Sequence, residues 1–349
     1  MKGVNPYHIG GVVMRYLSRF LFAVLAVGVM FTLSRAVVEI TGAGATFPYP
    51  LYARWASGFE KATGAKVNYQ SIGSGGGIRQ IKGRTVDFGA SDAPLEPGEI
   101  EESKLLQFPT VVGAVVVTYN LSGVKGLNLD QKAVCEIYMG KIKKWDDPYL
   151  QSLNKHVKLP STNIVVVHRS DGSGTTWIFT NWLTKVCPDW AKSVKFGTSV
   201  NWPTGIGSKG NEGVANYVKR TPGAIGYVEY IYAKQNNLPY AKIKNRAGNF
   251  VEPSIESIQA AAGNAKWDAK KHFYEVLTDQ PGKNSYPISG ATFILLAKDQ
   301  PERAKKATKF FKWAFENGDK TALELHYIPL PKNVKEMIYK YWKENHVEP

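Results

Sequence analysis

Two runs of the chain are too long and too uniformly apolar to be anything but buried strands: QFPTVVGAVVVTYN at 107–120 and YPISGATFILLAK at 286–298. Both are rich in β-branched residues and show neither the two-residue alternation of a half-exposed strand nor helical spacing, the pattern of a strand covered on both faces. Between them the chain becomes richer in Lys and Asn. The two runs therefore read as crossings that bound an inserted unit: a first α/β domain from 37–112 plus 289–349, and a second from 113–288. Two domains joined by two connections leave a cleft between them.

The remaining segments alternate strand and helix, the signature of an α/β fold. Phe47, Leu51, Trp55 and Phe59 recur at four-residue spacing on one helix face that Gly64 ends. AKVNYQSIGSGGGIRQI opens with a short strand carrying Val67 and Tyr69, TVDFGASDAPL reads as a strand that stops at Pro94, and GAIGYVEYIYA reads as another. NIVVVHR leads through a glycine turn into a helix that presents Phe179, Leu183 and Val186 on one face and stops at Pro188, and the C-terminus is helical over ERAKKATKFFKWAFENG and PKNVKEMIYKYWKEN.

A formal charge of +15 over 349 residues raises the question of a nucleic-acid or membrane partner. The N-terminus answers otherwise. Arg15 and Arg19, an apolar run from Phe20 to Leu33 and the small-residue pattern Ser34-Arg35-Ala36 have the three-part layout of a secretory leader over residues 1–36, with Met14 as an alternative start. The run is shorter than the ~20 apolar residues a membrane span needs. Loss of the four basic residues Lys2, Arg15, Arg19 and Arg35 takes the +15 to +11. No cysteine near Ala36 could carry a lipid, so the expected location is the periplasm. There Cys135 and Cys187, the only cysteines, are expected to pair.

Three glycine-rich turns precede helices: GAGATF at 42–47, GSGGG at 73–77 and DGSGTT at 171–176. Helix N-termini present free N–H groups and partial positive charge, and glycine admits an anion close to the backbone. Thr46, Ser74, Ser173 and Thr175 would add hydroxyl donors. Taken singly, each loop is as well explained by helix capping through Thr46, Ser74 or Thr175 and by chain turning. Arg169 tips the balance toward an oxyanion, because its fork matches a tetrahedral oxyanion, and Asp171 can orient it.

Other chemistries lack their residues. No Walker loop is present, and Gly205, Gly207 and Gly210 follow Pro203 rather than a clear strand. Ser173 with His168 does not sit in a G-x-S-x-G elbow. The six histidines are scattered without metal spacing, and no nucleic-acid motif accompanies the charge.

At these loops the sequence resembles the periplasmic phosphate-binding proteins of high-affinity phosphate ABC transporters. GAGATFPYPLYARW, VNYQSIGSGGGIRQI, VDFGASDAPL, GKIKKWDD, HRSDGSGTTWIFTNWL, GNEGVANYVKRTPGAIGYVEY and GATFILLAKDQ occur in that family's order. The resemblance implies an α/β, two-domain solute-binding fold with two hinge crossings, no catalysis, no cofactor, and a monomer that serves a membrane permease and ATPase. It implies phosphate ligands at Thr46, Phe47 (through its backbone), Ser74, Asp92, Arg169, Asp171, Ser173, Gly174 and Thr175. Asp92, otherwise readable as the cap of a helix starting near Ala93, becomes an acceptor for a proton that phosphate carries and sulfate lacks. Another oxyanion such as sulfate or molybdate, or a phosphoesterase built on Ser173, are the competing readings.

Overall fold

The computed structural model describes residues 37–349, so the leader expected over 1–36 lies outside the described residues. Glu39–Pro349 form one compact unit. Its main sheet has nine strands, ordered from one edge Lys66–Ser71, Glu39–Gly44, Phe88–Ser91, Ser289–Ala297, Leu105–Tyr119, Ala224–Glu229, Val165–Arg169 and Ile206–Ser208, with Ile328–Pro329 also paired to Leu105–Tyr119.

The two apolar runs lie side by side at the centre of this sheet, and every residue of Leu105–Tyr119 and Ser289–Ala297 is buried. Leu105–Tyr119 changes partner along its length. Its first part pairs antiparallel with Ser289–Ala297 as far as Ala114↔Ser289, and from Val115↔Glu229 onward it pairs with Ala224–Glu229. One strand thus carries the chain from the half of the sheet that begins the fold into the other half. The register slips where Thr292 faces Val111 and Phe293 faces Pro109, which leaves Thr110 as the extra residue of a bulge. Pro109 has no N–H to offer the ladder, and bulges are where sheets tolerate proline. Beside this bulge Thr292 turns its hydroxyl toward Asp92.

Several expected elements move. The strand expected through GAIGYVEYIYA stops at Glu229, whose carboxylate accepts from the N–H of Ile231 and starts a helix over Tyr230–Gln235. The apolar, β-favouring composition hid that cap. No helix starts near Ala93: the next one is Pro97–Glu102, so Asp92 caps nothing. Gly42 to Gly44 belong to a strand, Glu39–Gly44, rather than to a loop. The expected helix face holds in part, with Leu51, Trp55 and Phe59 buried in Tyr49–Thr63 and Gly64 closing it in the left-handed conformation, but Phe47 lies before the helix, which starts only after Pro48. Cys135 and Cys187 form a disulfide across 6.2 Å between Cα atoms, tying the Gln131–Tyr138 helix to the end of Gly174–Val186.

Candidate anion-binding site

The strand Val165–Arg169 ends at the site, and Arg169 is its last residue. Alternation along a strand puts adjacent side chains on opposite faces. His168 accordingly stacks on Trp202 at 4.6 Å between ring centroids, whereas Arg169 is buried with its side chain 1% exposed. The guanidinium grips Asp171 with two bonds, Nε to Oδ1 at 2.7 Å and Nη2 to Oδ2 at 2.5 Å. Asp171 also accepts from the N–H of Gly210. Burial works against its charge, but the Arg169 guanidinium, helped by backbone N–H groups including that of Gly210, holds the carboxyl below the usual range. The third edge differs: Nη1 is buried and has no partner among the described residues.

Asp92 follows directly on the Phe88–Ser91 strand and is buried. Its Oδ1 accepts from the hydroxyl of Thr292 at 2.7 Å, and its backbone N–H donates to Ser74 Oγ at 3.1 Å. Burial raises its carboxyl to about 7, against the lowering pull of Thr292, Arg169 and Ser74. Ser74 opens the Ser74–Lys82 helix, and Ser173 stands just before Gly174–Val186. Of the four hydroxyl residues, only Ser173 caps a helix, accepting from the N–H of Thr176 at 2.9 Å. Pro48 and Gly73 hold the cap positions that the sequence left to Thr46 and Ser74, and neither provides a side-chain bond. Thr46, Ser74 and Thr175 are therefore buried hydroxyls without a capping duty.

Thr46 and Phe47 sit in the turn between Glu39–Gly44 and Tyr49–Thr63. Their carbonyls are fastened from behind by tyrosines, Tyr232 on Thr46 at 2.5 Å and Tyr327 on Phe47 at 2.6 Å. That fixes the peptide planes and hence the direction of the neighbouring N–H groups.

The glycine loops touch each other. The N–H of Gly75 donates to the carbonyl of Gly172 at 3.0 Å, and a Cβ placed on Gly174 would stand 2.3 Å from Ser74 Oγ and 2.5 Å from Asp92. Gly73, at φ +93, has the carboxylate of Asp171 where a side chain would go. Every expected site residue thus falls in one neighbourhood, built by loops 46–47, 73–74 and 92 from one half of the sheet and by 169–175 from the other.

Three residues escaped the sequence reading: Asn211, which bonds Thr46 and Thr175; Thr292, on Asp92; and Tyr227, whose hydroxyl accepts the N–H of Arg169 and bonds Thr176. The only signal was that Asn211 and Tyr227 lie in GNEGVANYVKRTPGAIGYVEY and Thr292 in GATFILLAKDQ.

The fold is that of the solute-binding proteins, and a family model described as a PBP superfamily domain matches residues 32–317. The phosphate-binding protein PstS of Haemophilus influenzae is 54% identical over 309 residues, covering 87% of this chain and 92% of that protein. PstS of Pasteurella multocida is 51% identical over 317 residues, covering 90% and 92%. Among solved structures, a high-affinity periplasmic phosphate-binding protein bound with phosphate superposes with a TM-score of 0.71 at 24% identity, over 87% of this chain and 93% of that one. The chain belongs to the phosphate-binding protein PstS family.

Proposed function

We propose that this protein captures inorganic phosphate in the cleft between its two domains and delivers it to the permease and ATPase subunits of an ABC importer. The observation that carries this reading is Arg169. A buried guanidinium with two edges held by Asp171 and its Nη1 left without a protein partner is a cost to the fold that a bound oxyanion offsets. The reading gathers with it the hydroxyls of Thr46, Ser74, Ser173 and Thr175, the first-turn N–H groups of the helices at Ser74 and Gly174 that the protein does not itself bond, and the backbone of Phe47. Asp171 orients the fork. Asp92 adds a single acceptor among donors.

The reading divides the chain into 37–112 plus 289–349 and an inserted 113–288, with closure bringing Gly174 against Ser74 and Asp92. It places the mature protein in the periplasm as a monomer without catalysis. A hydrolase on Ser173 is disfavoured because Ser173 Oγ serves as a cap, while His168 bonds the Arg169 carbonyl through Nδ1 and stacks on Trp202. Sulfate and molybdate are disfavoured by Asp92, which offers them a like charge.

Titration calorimetry of the mature protein with phosphate and with sulfate tests the reading. One phosphate per chain and no sulfate heat is the expected result; no phosphate binding, or equal affinity for both anions, would overturn it. Gly174→Ala provides a test of closure. Its methyl must displace Ser74 Oγ or the Asp92 side chain, a kind of overpacking that costs ~1–3 kcal/mol, so phosphate affinity is expected to fall about 5- to 150-fold. Wild-type affinity in that variant would mean the two loops need not meet around the ligand.

A further inference from the structure

Asn211 is completely buried at the second position of the Gly210–Arg220 helix, and its side chain ties together residues that lie far apart in the sequence. Its Oδ1 accepts from the backbone N–H of Glu229 at 2.8 Å. Only the oxygen of an amide can accept, so this bond fixes which way the amide faces and leaves Nδ2 on the other side. Nδ2 then donates twice, to Thr46 Oγ1 at 2.7 Å and to Thr175 Oγ1 at 3.0 Å. The backbone N–H of Asn211 adds a further bond to Thr46 Oγ1 at 3.3 Å.

A hydroxyl has two acceptor sites and one proton to give. Thr46 Oγ1 receives two N–H bonds, which fills its acceptor capacity, and Thr175 Oγ1 receives one. Among the described residues neither hydroxyl donates to any protein group. Free threonine hydroxyls rotate and can serve as donor or acceptor. Thr46 is held as a donor, and Thr175, with one acceptor site taken, is biased toward donating.

Building on the phosphate reading above, we infer that Asn211 is a positioning residue which orients the Thr46 and Thr175 hydroxyls as proton donors toward the bound anion, Thr46 as a donor only. Phosphate oxygens lacking a proton are matched there. The proton the anion does carry is left to face Asp92, the acceptor on the neighbouring loop. The helix Gly210–Arg220 thereby acts on the ligand without touching it, through one amide whose polarity is set by the backbone of Glu229.

The discriminating substitution is Asn211→Asp, which keeps the shape of the side chain and the acceptor for Glu229 N–H but replaces the Nδ2 donor by a carboxylate oxygen. The two hydroxyls then turn to donate to it and are withdrawn from the anion. Phosphate affinity measured by calorimetry is expected to fall about 100-fold or more, since two bonds to a charged ligand are lost and a like charge is added. A role confined to shape or to satisfying Glu229 predicts no change. Because N211D also carries charge, Asn211→Ala is combined with Thr46→Val in a double-mutant cycle. If Asn211 acts through Thr46, the double variant loses less than the product of the two single losses. Should N211D fail to fold by circular dichroism, the N211A/T46V cycle decides alone. Wild-type-like affinity in folded N211D, or strictly multiplicative losses in the cycle, would overturn the inference. A wild type that itself binds no phosphate would instead bring down the phosphate reading, and this inference with it.

Discussion

Arg169→Ala is expected to weaken phosphate binding by about 2–5 kcal/mol, or roughly 30- to several-thousand-fold, the range found when one partner of a buried charged contact is truncated. The geometry argues for the upper part of this range. The side chain is 1% exposed, so water cannot replace the missing guanidinium. Truncation also strands Asp171, whose side chain is 11% exposed and whose carboxyl is kept ionised chiefly by Arg169 against the effect of burial. An unpaired carboxylate next to the anion then adds repulsion to the lost attraction. It follows that Arg169→Ala with Asp171→Ala should bind phosphate better than Arg169→Ala alone. Lysine is a poor substitute, because a single ammonium cannot hold Asp171 with two parallel bonds and also face the ligand with a third edge. Calorimetry on the three variants checks this; a loss below about 1 kcal/mol for Arg169→Ala would mean the guanidinium does not meet the anion.

The parts of this site that could be read in the sequence are those whose physics is local. Arg169, the last residue of a strand, and Asp171, on the turn that follows, are two residues apart, close enough that their pairing needs no tertiary information. The glycine runs before helices announce exposed N–H groups wherever the helices come to lie. The two central strands declare themselves because a strand covered on both faces carries few polar positions and no regular polar alternation along its length. What stayed hidden depends on distant partners. Asn211 meets Thr46 across 165 positions, and Thr292 meets Asp92 across 200. No spacing rule connects residues so far apart. The strand Glu39–Gly44 was missed for a different reason: three of its six residues are Gly or Ala, with low strand preference, and it is held by parallel pairing to Lys66–Ser71 and Phe88–Ser91 on its two sides. The short helix after Glu229 is likewise a tertiary outcome, since Tyr, Ile and Tyr favour a strand until the Glu229 carboxylate takes the N–H of Ile231.

Asp92→Asn is expected to change both selectivity and stability, in directions that follow from one fact: burial raises the carboxyl from its ordinary value to about 7. Consider the protein without ligand. Below about pH 4 Asp92 is protonated whether the chain is folded or unfolded, and the shift has no effect on stability. Between about 4 and 7 the unfolded chain releases the proton while the folded chain retains it, so stability falls as pH rises through that window and is level above it. A shift of that size corresponds to at most about 4 kcal/mol. Asparagine does not titrate and can still accept from Thr292. Ligand-free Asp92→Asn should therefore be the more stable protein at pH 7–8, and its advantage should vanish toward pH 4. Glu229, another buried carboxyl pushed up by burial, contributes a slope of the same sign to both proteins, and because the Asp92 charge adds to that rise, the difference between them reports Asp92 together with its coupling to Glu229. The same titration governs the ligand. Sulfate has no proton to give, and above pH 7 it meets an ionised Asp92, so its binding must be coupled to proton uptake. Competition by sulfate in the wild type is expected to strengthen about tenfold per unit as pH falls toward 7. In Asp92→Asn, where an N–H can be offered instead of a charge, sulfate should compete better at neutral pH and without that dependence. Phosphate affinity itself should fall only modestly, the lost acceptor being offset by a gained donor. Sulfate displacement of phosphate, measured from pH 6.5 to 8.5 in both proteins, distinguishes the outcomes. Identical preference and identical pH dependence would show that Asp92 does not face the anion, and that its contacts with Thr292 and Ser74 serve the fold alone.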